Sequence, residues 1–169
     1  RHIIETLEAM HVDKIVPVVS ADGAMIAKEV APYETALQEK QLGTGHAAIC
    51  ARQKLCGFEG DIIVMCGDHP VITKETLKKA LKKKRDGYSV VVLGFHPQDA
   101  LRYGRLIMKG DELVKIVEYK DATEEEKAID FCNSGVMVFD SDTMFEILSS
   151  VSNENAAGEY YLTDAVAIA

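Results

Sequence analysis

Apolar and polar positions alternate along this chain with two periods, and the periods take turns. Residues 1–10 place Ile3, Ile4, Leu7 and Met10 on one stripe, which predicts a helix. Residues 15–19 are a short apolar strand, and 24–30 a helix entered after Asp22-Gly23. Residues 33–37 read as a strand, and the small-residue pattern of 46–55 as a helix. Residues 61–66 form a nearly continuous apolar run, as expected of a strand covered on both faces. Thr73 is a natural N-cap for a helix over 74–85, whose inner stripe is Leu77, Ala80 and Leu81. Asp86-Gly87 stops it, and 88–95 is the next strand. Helix–strand alternation of this kind implies right-handed crossovers and a mainly parallel sheet between two helix layers.

Beyond residue 100 the texture changes. Residues 105–108 and 113–118 flank Lys109-Gly110-Asp111-Glu112 and predict a β-hairpin. An acidic helix follows over 123–129, then a strand over 131–139. A helix over 142–151 comes next, with Met144, Phe145 and Leu148 inward. Residues 153–158 are a polar loop, and 160–169 begin a last helix.

At 169 residues the chain is most simply one domain. It is 47% hydrophobic and 27% charged, with no apolar run near the roughly 20 residues needed to cross a membrane. The formal net charge of −8 argues against a nucleic-acid surface, and it obliges any phosphate ligand to find local cations or a metal. Cys50, Cys56, Cys66 and Cys132 form no C-x-x-C pair and are expected as buried, reduced thiols in a cytoplasmic setting. The scattered histidines offer no zinc spacing. The chain opens on Arg1 rather than Met, which reads as a start other than the natural one.

Candidate chemistry gathers where strands end, the usual place for ligands in open α/β sheets. Gln38 and the Gly43-Thr44-Gly45 loop stand between a strand and a helix, where glycine lets a backbone come close to a ligand or simply serves a tight joint. Gly67-Asp68 follows the 61–66 strand. A carboxylate there can hold Mg²⁺, which prefers oxygen ligands and keeps several waters, or can start an Asx-type turn before Pro70. Glu118 closes the hairpin, and Asn133 lies in the next strand beside Ser134-Gly135; backbone bonding or solvation is the alternative for each. The basic run Lys78, Lys79, Lys82, Lys83, Lys84, Arg85 reads as a solvated helix face. His46 and His69 read as structural or exposed, and no Ser/His/Asp or Cys/His constellation is apparent.

Six motifs occur in order: Gln41-Leu42-Gly43-Thr44-Gly45-His46-Ala47, Gly67-Asp68-His69-Pro70, Tyr103-Gly104-Arg105, Ile116-Val117-Glu118-Tyr119-Lys120-Asp121-Ala122, Asn133-Ser134-Gly135 and Gly158-Glu159-Tyr160-Tyr161-Leu162-Thr163-Asp164. Together they resemble the uridylyltransferase domain of the bacterial bifunctional N-acetylglucosamine-1-phosphate uridylyltransferases, over essentially the whole chain. The resemblance implies a Rossmann-like, three-layer α/β fold of the nucleotide-diphospho-sugar transferase type: a mainly parallel mixed sheet, an added hairpin and a missing first strand. It implies transfer of UMP from UTP to N-acetylglucosamine 1-phosphate, giving UDP-N-acetylglucosamine, a cell-wall precursor, and pyrophosphate, with Mg²⁺ as cofactor. By resemblance, Gln38, Gly43 and Thr44 read uracil. Cys66, Gly67 and Asp68 lie along the ribose and phosphates, with Asp68 on the metal and catalytic through it. Gly104, Glu118, Asn133, Tyr161 and Thr163 hold the sugar. The family has an aromatic residue where Cys66 stands. Its glycine-rich basic loop, the lysine after it, a second metal-binding asparagine and the C-terminal β-helix through which full-length members trimerise have no counterpart here. The resemblance thus implies a fragment with the uracil and sugar half of the site, inactive or nearly so alone. Another sugar-1-phosphate nucleotidyltransferase and a non-catalytic UDP-sugar-binding module are the alternatives.

Overall fold

The computed structural model describes residues 2–68 and 72–169. The chain runs α1 (His2–Ala9), β1 (Val18–Ser20), α2 (Ala24–Glu29), β2 (Ala36–Gln38), α3 (Thr44–Cys50), a 3-10 turn (Arg52–Leu55), β3 (Asp61–Met65), α4 (Lys74–Arg85) and β4 (Val90–Phe95). It continues through β5 (Arg105–Lys109), β6 (Glu112–Val117), α5 (Glu124–Lys127), β7 (Cys132–Asp140), α6 (Ser141–Ser149), a second 3-10 turn (Leu162–Asp164) and α7 (Ala165–Ile168). His69, which the sequence reads as structural or exposed, lies outside the described residues, as does Pro70.

Local signals place several elements closely. Thr73 caps α4 by accepting the Thr76 N–H at 3.2 Å. Thr123 and Glu126 close a reciprocal capping box on α5. Asp140 caps α6 by accepting from Thr143 N at 2.8 Å. Gly110, at φ 63°, makes the turn between β5 and β6. The α4 cations are a solvated face in the main, but Lys84 turns inward to Asp140 at 3.0 Å and Arg85 reaches Asp61 at 2.9 Å.

The chain is the mixed α/β structure the alternation predicts, but the pairing in its larger sheet is a correction. The parallel pairing is β1 with β2; in the five-stranded sheet β3, β4 and β5 each pair antiparallel with β7, and β5 with β6. β3 and β4 do run in the same direction, as a strand–helix–strand crossover requires, but β7 lies between them. Val136 to Phe139 of β7 are fully buried, which explains why this strand takes the central place. Its side chains alternate between faces. Met137 and Phe139 pack with Ala48 of α3, Met144, Ile147 and Leu148 of α6, and Leu162 and Ala165. α4 packs against β4 and β7 and buries Leu77 and Ala80.

Two further expectations change. Tyr160 and Tyr161 are not helical, because Tyr160 spends its N–H on Leu42 O and its carbonyl on Gly45 N–H, both at 2.8 Å. All four cysteines are free, but Cys132 alone of them is fully buried and Cys56 is exposed.

Candidate nucleotide and sugar site

One edge of β7 is shared by two strands. β3 runs toward Ser134 and ends with Cys66 N–H donating to Gly135 O at 3.3 Å. β5 begins on the other side of Ser134, where Asn133 N–H donates to Gly104 O at 2.9 Å and Leu106 N–H to Phe131 O at 3.0 Å. The end of one strand and the start of another therefore meet at a single point. Cys66-Gly67-Asp68 leave from one side and Gly104 enters from the other.

Around that point four of the sugar-side candidates, Gly104, Glu118, Asn133 and Thr163, are linked. A Cβ on Gly104 would lie 3.4 Å from Glu118 Oε2 and 3.3 Å from Ile116 Cγ2, so glycine keeps this wall low. Glu118 Oε1 accepts the Thr163 hydroxyl at 2.9 Å. Asn133 Oδ1 accepts the Gly135 N–H at 3.0 Å, which leaves its NH₂ as the donor end. Burial pushes the Glu118 carboxyl up, and Asp164, Asp121 and Glu159 add to this against the lowering bond from Thr163. Tyr161 is pushed up to about 12, first by burial and then by Asp121.

Cys66 is half-buried; burial pushes its thiol up, and the carboxylates of Asp68 and Glu118 push it further. Those two charges are thus felt at one place. Asp68 is exposed, and none of the described residues lies within 4 Å of where a side chain on Gly67 would begin. No group of three or more His, Cys, Asp or Glu among the described residues could hold a metal ion. An exposed carboxylate at this strand end would fit a Mg²⁺ that takes most of its oxygens from phosphates and waters, not a cage made by protein alone.

The Gln38 end is joined to this cluster by a backbone clamp. Gly43 (φ 111°, ψ 174°) is the N-cap of α3. A Cβ on it would sit 2.5 Å from Tyr160 O and 2.8 Å from Tyr160 N. The glycines of the loop thus let the backbone meet the chain's own 159–162 segment. Thr44 Oγ1 accepts the Leu162 N–H at 2.9 Å, completing the clamp. Gln38, 9% exposed, lies at the end of β2 and donates from Nε2 to Gly43 O at 3.1 Å. A continuous set of contacts thus runs Gln38, Gly43, Thr44, Tyr160–Thr163, Glu118, Gly104, Asn133.

Arg105 escaped the reading from sequence as more than part of a motif. It is 2% exposed, and its guanidinium donates to the carbonyls of Ala100, Leu101, Tyr103 and Lys127 while facing the Tyr119 ring. Arginine directly after Gly104 was the available signal. Asp121 also escaped it; this residue accepts from Ala156 N at 2.7 Å and bears on Tyr161.

The sequence profile of the nucleotidyl transferase family matches residues 3–169. The bifunctional protein GlmU of Paramagnetospirillum magneticum is 44% identical over 170 residues, covering 99% of this chain and 38% of that protein. GlmU of Rhodospirillum rubrum is 47% identical over the same span, with the same coverage. GlmU of Jannaschia sp. is 54% identical over 140 residues, 82% of this chain and 31% of that protein. The chain thus spans under two fifths of the length of these relatives. Among solved structures, UDP-glucose pyrophosphorylase complexed with UDP-glucose superposes with TM-score 0.73 at 17% identity, over 98% of this chain and 72% of that one. A putative glucose-1-phosphate thymidylyltransferase from Bacillus anthracis gives TM-score 0.76 at 17% identity, over 97% of this chain and 66% of that one. These two establish the fold of the nucleotide-sugar transferases, and the sequence profile with the GlmU relatives establishes that the chain belongs to the nucleotidyl transferase family.

Proposed function

We propose that this chain carries the uracil and sugar half of a site that transfers UMP from UTP to N-acetylglucosamine 1-phosphate, releasing pyrophosphate. The observation that carries the proposal is the contact chain from Gln38 to Asn133. It links an amide at one end to a carboxylate, an amide and a hydroxyl at the other. The identity to GlmU proteins supports the same reading.

Gln38, Gly43 and Thr44 take the base. Cys66 and Gly67 border the ribose and phosphates. Glu118 accepts from a sugar hydroxyl through Oε2, Thr163, whose proton goes to Glu118 Oε1, accepts from another, Asn133 offers its NH₂ to a carbonyl oxygen, Gly104 leaves room for the ring, and Tyr161 closes the wall. In the reaction an oxygen of the sugar phosphate attacks the α-phosphorus of UTP, and the bond to pyrophosphate breaks. No group on the protein is modified, so its task is to hold the two phosphates in line and to exclude water. Asp68 would hold Mg²⁺, which supplies charge neutralisation to the phosphates when bound.

Calorimetric titration of UDP-N-acetylglucosamine onto the chain tests the proposal. Saturable binding, weakened tenfold or more by Asn133→Ala and by Glu118→Ala, is expected. Absence of binding, or binding indifferent to both substitutions, overturns it. Tighter binding of UDP-glucose or of a thymidine diphosphate sugar would move the assignment to another sugar-1-phosphate nucleotidyltransferase. Pyrophosphate release with UTP, N-acetylglucosamine 1-phosphate and Mg²⁺ is expected to be slow for this chain alone, because Asp68 and Glu118 are carboxylates and the Arg105 guanidinium is already committed to backbone carbonyls.

A further inference from the structure

Gln38 Nε2 lies 3.1 Å from Gly43 O and 3.0 Å from His46 Nδ1. A carbonyl can only accept, so the end of the amide facing Gly43 is the NH₂. That carbonyl cannot turn away, because it also accepts the Ala47 N–H at 3.1 Å in the first turn of α3. The second amide hydrogen then points at His46 Nδ1, which must accept it. The ring is therefore neutral, with its proton on Nε2. Cys50 approaches the same nitrogen, its Sγ 3.9 Å away. Burial pushes the Cys50 thiol up, with Glu39 adding to it, so the sulfur keeps its proton and arrives as a second donor. Both hydrogens of the Gln38 amide are spent inside the protein. What remains for a ligand is Oε1 alone. Reversing the amide would set Oε1 against the Gly43 carbonyl, which can only accept, whichever tautomer His46 adopts.

We infer that His46, by accepting from Gln38, locks the amide with its oxygen outward and makes the base pocket selective for a ring N–H over a ring nitrogen lone pair. Uracil presents N3–H there and cytosine a bare N3. The selectivity rests on the base reading proposed above; the locked amide does not. His46 is a positioning residue: it acts through Gln38 and need not touch the nucleotide.

The two parts are tested separately. Long-range ¹H–¹⁵N correlation on the ligand-free chain reads the His46 tautomer directly. An Nε2–H ring, changing to match a neutral Nδ1–H ring in no part of the sample, is expected; an Nδ1–H ring overturns the inference whatever the chain binds. UMP and CMP are then titrated onto the wild type, His46→Ala and His46→Asn. The wild type is expected to favour UMP at least tenfold. His46→Ala should reduce that ratio at least threefold, and His46→Asn, whose amide oxygen can take the place of Nδ1, should restore it. A ratio unchanged in His46→Ala overturns the selectivity. If neither nucleotide binds the wild type, the base reading fails and the selectivity with it, while the tautomer still decides the locked amide.

Discussion

Replacing Gly43 by alanine measures the clamp between the 40s loop and the 159–162 segment. Gly43 sits at φ 111° and ψ 174°, a conformation essentially confined to glycine, so a side chain costs about 1–3 kcal/mol in backbone strain alone. The new Cβ would also stand 2.5 Å from Tyr160 O, 2.8 Å from Tyr160 N and 3.0 Å from Glu159 Cβ. The first two are backbone atoms and cannot rotate away. The segments must part, which weakens the bonds from Gly45 N–H to Tyr160 O and from Tyr160 N–H to Leu42 O, each worth about 0.5–1.5 kcal/mol. The total is about 4 kcal/mol, or a fall of about 8–16 °C in Tm at the ~2–4 °C per kcal/mol typical of a chain this size. Gly158→Ala is the control: its φ is 67°, but the Cβ meets none of the described residues within 4 Å, so it isolates the left-handed penalty of about 1–2 kcal/mol. Urea and thermal unfolding followed by far-UV circular dichroism compare the three proteins. If Gly43→Ala costs no more than Gly158→Ala, the backbone approach is not what requires glycine and the clamp argument fails.

Glu118→Gln should melt higher than the wild type at neutral pH, since burial has raised the Glu118 pKa and the folded state bears the cost of its charge above that pKa; the advantage should vanish as pH falls through the raised pKa to the ordinary carboxylate range, and a pH series of melting curves checks it. Partial burial pushes the Asp140 carboxyl up, but the Thr143 N–H and hydroxyl and the Lys84 ammonium outweigh it and bring the carboxyl down to about 2. Asp140 therefore stabilises the fold above its unfolded value near 3.8 and loses this as pH falls toward 2; with its carboxylate about a third exposed, Asp140→Asn should cost about 1 kcal/mol at pH 7 and nothing near pH 2 by urea titration. Arg105→Lys keeps the charge but loses the fork that binds four carbonyls, and should cost about 2–3 kcal/mol with faster hydrogen exchange at residues 100–104; exchange there matching the wild type would count against the role assigned to the fork.

The parts legible in the sequence are those set by near neighbours. α4 runs from Lys74 to Arg85 as read, because the Thr73 cap, the Leu77–Ala80 stripe and the Asp86-Gly87 stop all lie within the element. β7 was legible as a strand but not as the strand between β3 and β4, because which edges pair is decided by segments far apart in the chain. The last segment read as helix from Tyr160, and local pattern alone supports that; the Tyr160 bonds to Leu42 and Gly45 that prevent it span more than a hundred residues. At the site, residue types were legible and commitments were not. Gln38 carries both a donor and an acceptor on paper, but His46 and Gly43 have already claimed the donor. Glu118 and Thr163, 45 positions apart, could each be singled out, yet nothing in the sequence pairs them.

The location of the candidate site follows from the same long-range choice. A strand whose edge passes from one partner to another must leave a gap at the handover, and here the gap falls at Ser134. That residue's hydroxyl oxygen is buried with no hydrogen-bond partner among the described residues. Because β3 runs toward the gap and β5 runs away from it, the carboxyl end of the first and the amino end of the second open on the same space. Gly104 and Asn133 are held there by a bond between strand edges. Gln38, at the end of β2, and the Gly43-Thr44 turn connect to this point through the Tyr160–Leu162 segment. Thr163, the partner of Glu118, follows Leu162 of the clamp directly in the chain. Loosening the clamp at Gly43 should therefore weaken the sugar end as well as the base end. A cleft built from two independent pockets would lose only one.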